Sequence, residues 1–374
     1  MSRQTQASFI IVAAVALLAA GAWAVYRTLD KPEDKPAKAF KIREPKAGAD
    51  PSPAAAGNGA VPVVPPDAES EDAATLPAEL TPPAVPDSRY LVGRFEAKAV
   101  PESSGIVASR KYPGVFWTHN DSGNAAEIFA VDKSGKLLAR YEVDEENQDW
   151  EDIAIDDAGH LYIGDVGNNN ESRKHAFVYR LDEPDPAKGT PAGRGEKLKA
   201  TATWKLKYPG GRDGRFDSEA LFVWKGRGYL ISKLLTLRYA TIYGFDLDPQ
   251  RQPSKKKKKD DEDGDPTETL TLEPVAEIPI RYPVTGADIS ADGTRLAVLT
   301  VGGPYVLRID GDVKNAARSK PAYTSYINPK EEAICFTDGG VLVTTEDRDI
   351  LLFPDKLFEA ATLPPATPTT KPAP

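Results

Sequence analysis

Apolar residues in this chain come in short runs separated by turn-forming residues, and the runs repeat in groups. The stretch 149–170, DWEDIAIDDAGHLYIGDVGNNN, shows the order plainly: a carboxylate cluster, an apolar run, a turn, a second apolar run, then an Asp/Gly/Asn loop. The same order returns at 103–124 (SSGIVASRKYPGVFWTHNDSGN), 218–238 (SEALFVWKGRGYLISKLLTLR), 286–304 (GADISADGTRLAVLTVGGP) and 331–349 (EEAICFTDGGVLVTTEDRD). A recurring order with little identity predicts an array of small sheets. Strands alternate with turn signals and no amphipathic helical period intervenes, so the expected class is all-β.

Strands are predicted near 104–109, 115–119, 127–132 and 137–143 for a first blade, and 153–156, 161–164, 176–181 and 198–206 for a second. A third takes 220–224, 229–232, 241–247 and 270–280, and a fourth 287–290, 295–299, 305–309 and a weaker 322–326. The fifth has only 333–336, 341–344 and 350–353. The unpartnered stretch YLVGRFE at 90–96 supplies its missing outer strand. Set beside 350–353, it closes the ring with both chain ends and removes two open edges. The expected fold is a five-bladed β-propeller over 89–362. Six blades are the alternative, should the connections 184–195 or 248–269 hide degenerate strands.

Outside that span the composition changes. Residues 1–7 read as a cytoplasmic flank, and 8–26 as an uncharged apolar run of membrane-spanning length. The run is either an uncleaved anchor or a signal peptide cut after Ala22-Trp23-Ala24. Its length and the tether-like composition of residues 27–88 favour the anchor. Those residues are rich in Pro, Ala, Asp and Glu. They cannot bury enough apolar surface to offset their ordering entropy, so a disordered, semi-rigid linker is expected. The tail 363–374 is of the same kind. The expected location is extracytoplasmic and membrane-anchored, or secreted or periplasmic if the segment is cleaved.

Charge and rare residues narrow the chemistry. A net charge of −9 argues against a general nucleic-acid binder. The single Cys335 excludes an intramolecular disulfide and a Cys-based zinc site. The block 255–259 (KKKKK) followed by DDEDGD reads as a solvated loop with self-neutralising charge. It lacks the alternating ligands and closing Glu of a calcium loop.

In a propeller, the start of each inner strand and the loop between its second and third strands share one face of the disk. The residue just ahead of each inner apolar run reads Ser104, Glu151, Glu219, Ala287, Glu332; the next reads Gly105, Asp152, Ala220, Asp288, Ala333. Small residues are expected where strands crowd the axis, but carboxylates are not. Like charges this close need protons, Lys/Arg partners or a cation. An oxygen-rich ring without Cys or His favours Ca²⁺, or alternatively Mg²⁺. The candidate metal ligands are Glu151, Asp152, Asp165, Glu219, Asp288 and Glu332.

Loops of the same face hold the runs His119 to Asn124, Asp165 to Asn170, and Thr345 to Arg348. Turn preference alone explains Asn, Asp and Gly in any one of them; their convergence on an acidic mouth points to ligand binding. Candidate ligand-binding residues are Asn120, Asp121, Trp150, Asn168, Arg173, Lys233 and Arg348. Glu151 and His119 are the candidate catalytic bases. Trp117, Trp150, Trp204 and Trp224 fit between stacked sheets, with Trp150 placed beside the mouth.

ESSG at 102–105, WTHNDSG at 117–123, DWEDIA at 149–154 and GDVGNNN at 164–170 make the chain similar to a group of secreted bacterial propeller proteins. That resemblance implies fold and location and little chemistry. More distantly, the opening and acidic inner strands resemble SdiA-regulated propellers, which implies a metal-binding channel. The blade count and the column Glu151, Glu219, Glu332 resemble calcium-dependent apyrases, which implies a central calcium. No apyrase motif matches residue by residue. Three readings stay open: a calcium-dependent ligand binder, a metal-dependent hydrolase of a phosphoester, lactone or other ester, and an interaction scaffold of the cell envelope. The expected partner is a small molecule or envelope component, and the expected state a monomer.

Overall fold

The structure, a computed structural model, describes residues 88–365 except 170–171, 192–195, 210–216, 234–238, 249–267, 327 and 329. The expectations for 1–7, the apolar run 8–26, the linker, the 255–265 insert and most of the tail lie outside the described residues. Among the described residues no helix is long and apolar enough to cross a membrane.

The described strands form five blades. The first is β2 (Ser103–Ala108), β3 (Phe116–Asn120), β4 (Glu127–Val131) and β5 (Leu137–Glu142), following β1 (Leu91–Arg94). The second is β6 (Trp150–Ile155), β7 (His160–Asp165), β8 (Ala176–Asp182) and β9 (Ala202–Lys207). The third is β10 (Ser218–Trp224), β11 (Arg227–Ser232), β12 (Ala240–Asp246) and β14 (Glu273–Ile278), with β13 (Thr269–Thr271) ahead of its outer strand. The fourth is β15 (Val284–Ile289), β16 (Arg295–Thr300), β17 (Gly303–Arg308) and β18 (Ala322–Tyr323). The fifth is β19 (Glu331–Thr337), β20 (Gly340–Thr345) and β21 (Asp349–Pro354). The inner strands β2, β6, β10, β15 and β19 touch in a closed ring. This is an all-β, five-bladed β-propeller.

Both chain ends close that ring, as the sequence predicts. β1 pairs antiparallel with β21 and becomes the fourth strand of the fifth blade. The chain then crosses to the first blade, where Arg94 N donates to Ser134 O at 3.0 Å. One expectation needs correction. The single strand foreseen at 270–280 is two strands: β13 runs parallel to β9 on the edge of the second blade, and only β14 joins the third. The chain steps across at Leu272, whose side chain is buried between the two blades and whose N–H donates to Lys207 O at 2.8 Å. The connection 248–269 runs into this edge strand, and five blades account for the described strands.

Blades are held face to face by large side chains. Trp117 and Trp150 fill the seam between the first and second blades, and Trp204 that between the second and third. Each indole N–H of the first pair is satisfied, Trp117 by Glu183 at 2.8 Å and Trp150 by Glu146 O at 3.0 Å, as a buried donor requires. Cys335 is a buried free thiol inside β19.

Candidate functional site

Every inner strand opens with the same irregularity. At its N-terminal end two residues face one on the partner strand: the register jumps from Ser103 to Gly105, Trp150 to Asp152, Ser218 to Ala220, Val284 to Gly286 and Glu331 to Ala333. These are β-bulges, and a bulge re-aims the unpaired side chain. The extra residues are Ser104, Glu151, Glu219, Thr285 and Glu332. Four match the sequence-derived column. In the fourth blade Thr285 replaces the expected Ala287, because β15 begins ahead of the apolar run that marks it in the sequence.

Glu151, Glu219 and Glu332 meet at one rim. Glu151 and Glu219 are buried and Glu332 half-buried. Burial is the main cause that raises the pKa of each, and the charge of Glu219 raises both neighbours further. Glu219 itself is pushed up to about 7, with Lys233 pulling the other way. Lys233 pairs with Glu219, stands 3.9 Å from Asp217, and donates to Asn169 Oδ1 at 2.9 Å.

Beside this pair lies a tighter group. One carboxylate oxygen from each of Asp121, Asp149 and Glu151 falls within 4.8 Å of the others. Asp121 arrives on the β3–β4 loop, where Asn147 Nδ2 donates to its carbonyl at 3.0 Å and ties that loop to the start of β6. Burial raises the pKa of Asp121, with Asp149 adding to it. Ser104 Oγ donates to Glu151 O at 3.1 Å. The Cα of Gly167 lies over the group, where a Cβ would overlap both Glu151 and Asp149. These hard oxygen donors suit Ca²⁺ or Mg²⁺ and not a soft metal.

Two candidate ligands sit elsewhere. Asp152 is fully buried below the rim: its Oδ2 accepts from Leu221 N at 2.8 Å and Ala287 N at 3.2 Å, and its Oδ1 from Ile153 N at 2.8 Å. Asp288 stands three residues past the bulge of its own blade and accepts from Ile289 N and Phe336 N, each at 2.8 Å. The axis-facing edge of an inner strand has no neighbouring strand, and its buried N–H groups need acceptors. Asp152 and Asp288 supply them, joining the inner strands of the second, third, fourth and fifth blades. Burial raises both pKa values, Asp288 to about 6. Asp288 was expected beside the rim column; its carboxylate is instead engaged with backbone N–H groups farther along the inner strands.

Several loop residues also prove to be committed. Asp165 is fully buried and pairs with Arg173 at 2.8 Å, while Arg173 also donates to Gly167 O at 2.7 Å. That pair shapes the loop beneath the mouth. Asn168 accepts from Arg173 N at 2.9 Å and donates its own N–H to Asp217 at 3.0 Å. Asn120 Nδ2 donates to Ala99 O at 2.9 Å. Arg348, at φ 67, makes the β20–β21 turn, and its carbonyl accepts from Phe95 N at 2.9 Å. Trp150 is core. His119 is wholly buried, edge-on to Trp150 at 5.7 Å, with its pKa lowered to about 4 by burial. Its ring is packed inside the first blade seam and does not open onto the mouth.

Asp149 and Asp217 are site residues that the sequence reading misses. The signal is present: each stands two residues ahead of a bulge Glu, as D-W-E and D-S-E. Aligning on the bulge, which only the pairing reveals, exposes this second acidic column.

No protein-family model matches the chain, and no curated protein matches it. Solved structures do. A crystal structure of a nidogen/laminin complex aligns over 68% of this chain and 81% of that one, at 11% identity and a TM-score of 0.35. The structure of the Dos1 propeller aligns over 67% of this chain, at 11% identity and a TM-score of 0.34, and the match spans 58% of that chain's length.

Proposed function

We propose that this protein is a membrane-tethered, extracytoplasmic ligand-binding propeller whose channel mouth holds a divalent cation, Ca²⁺ in preference to Mg²⁺. The observation that carries the reading is the convergence of Asp121, Asp149 and Glu151 from two blades. Lys233 eases the charge on Glu151 from a distance, but its ammonium is engaged with Glu219 and Asp217. A bound cation would let buried acids stay ionised together, with water or a ligand oxygen completing its shell. The ligand is a small molecule or an envelope component approaching the rim. Tethering rests on the apolar run 8–26 and the Pro/Ala-rich linker.

Elemental analysis and thermal unfolding with and without EDTA test the metal. Calcium should co-purify, EDTA should lower the unfolding midpoint, and Glu151→Gln should abolish both effects. An unchanged midpoint with no bound metal would remove the cation. One observation favours the hydrolase alternative: a carboxyl poised near neutrality, Glu219, beside the candidate cation site could transfer protons at physiological pH. A panel of ester and phosphoester substrates, run on the same calcium-loaded samples, separates turnover from binding.

A further inference from the structure

The far ends of the inner strands carry a different site. Where the first, fourth and fifth blades meet on the face opposite the acidic mouth lies a cavity of about 620 Å³. Its size is that of a small-molecule pocket. Pro113 and Val115 from the β2–β3 loop and Phe336 at the end of β19 give it apolar walls.

Its polar lining is uneven in what it leaves unused. Arg295 is committed: it pairs with Asp355 at 2.5 Å, and its guanidinium lies 4.8 Å over the Phe336 ring. Asp292 is occupied too, accepting from Ser290 Oγ at 2.7 Å and from Thr294 N at 2.9 Å. Those bonds hold its carboxyl below the usual range. Arg110 differs. It is exposed on the cavity wall and has no ion pair or hydrogen bond among the described residues; Asp288, buried behind it, feels its charge. Lys133 lines the same cavity and is likewise without an ion pair among the described residues. Asp338 shares the lining, so net charge is not what distinguishes the cavity. The unfilled planar donor set of Arg110, in a cavity that also has the aromatic Phe336 in its wall, does.

We propose that this cavity is a second ligand site, taking a small aromatic acid with its anionic group on Arg110 and its ring along Phe336. A guanidinium fork matches the two oxygens of a carboxylate or a sulfonate. The site is independent of the calcium proposal, since it lies at the other end of the channel and shares none of the mouth residues.

The test is fluorescence titration of anilinonaphthalene sulfonate into the folded full-length protein, with displacement by benzoate or by inorganic phosphate. Binding should saturate, benzoate should displace the probe, and Arg110→Ala should weaken binding by about tenfold, the loss of one charged hydrogen-bonded contact. Phe336→Leu should weaken it while leaving the unfolding midpoint near its original value. Repeating the titration in EDTA should change nothing, which separates this site from the mouth. Displacement by phosphate but not benzoate would overturn the aromatic-acid assignment. Non-saturable binding, or binding indifferent to Arg110→Ala, would overturn the site.

Discussion

Gly167 illustrates how much of the mouth depends on a side chain that is not there. Glu151 and Asp149 occupy the space a Cβ would take, so Gly167→Ala must push one or both carboxylates aside. Displaced supporting contacts around a metal typically cost about 10–100-fold in affinity. Calorimetric titration with Ca²⁺ should therefore show at least a tenfold weaker site in this variant, with the fold intact by circular dichroism. Glu331, one residue ahead of the rim, makes a separate prediction. It is fully buried, accepts the Tyr326 hydroxyl, and has its pKa raised to about 8 by burial. The folded state thus keeps a proton that the unfolded chain releases. Stability should fall as pH rises from about 4.5 to about 8, by at most about 1.4 kcal/mol per pH unit. Glu331→Gln should flatten that part of the midpoint-versus-pH curve; an unaltered slope would place the titration elsewhere.

Among the elements, β1 has the clearest energetic role. Phe95, just beyond it, is 1% exposed and packs with Phe116, Phe129 and Ile350 across the seam where the ring closes. Phe95→Ala should cost about 3–5 kcal/mol, read from chemical denaturation. Leu91→Ala, at a residue 47% exposed, should stay within about 0.5 kcal/mol. This closing strand was legible because YLVGRFE is apolar and had no neighbour in sequence to pair with. β13 was not, since a three-residue strand has no period to detect and its partner lies in the preceding blade. The start of β15 was missed for a related reason. Val284, Thr285 and Gly286 carry little apolar signal, and their strand identity comes from pairing with Thr300 and Leu299.

At the scale of the whole molecule, closure turns residues far apart in sequence into neighbours, and it sorts them by depth. The acids of the rim could be read from recurrence alone, which is why Glu151, Glu219 and Glu332 were found. Depth could not be read. Asp152 and Asp288 look like rim acids in the sequence, yet they serve unpaired backbone N–H groups inside the channel. Nor does the sequence show which cations are spoken for: Arg173 belongs to Asp165, while Arg110 on the other face has no ion pair among the described residues.

The unpaired position at the head of each inner strand has a lasting consequence for how such a protein can diversify. The residue that stands there has no paired residue across the ladder, so exchanging its side chain leaves the strand register untouched. Ser104 and Thr285 are already hydroxyl-bearing members of the same circle. The chain thus carries a circle of side chains whose charge and reach can be retuned one codon at a time, without renegotiating the architecture that presents them.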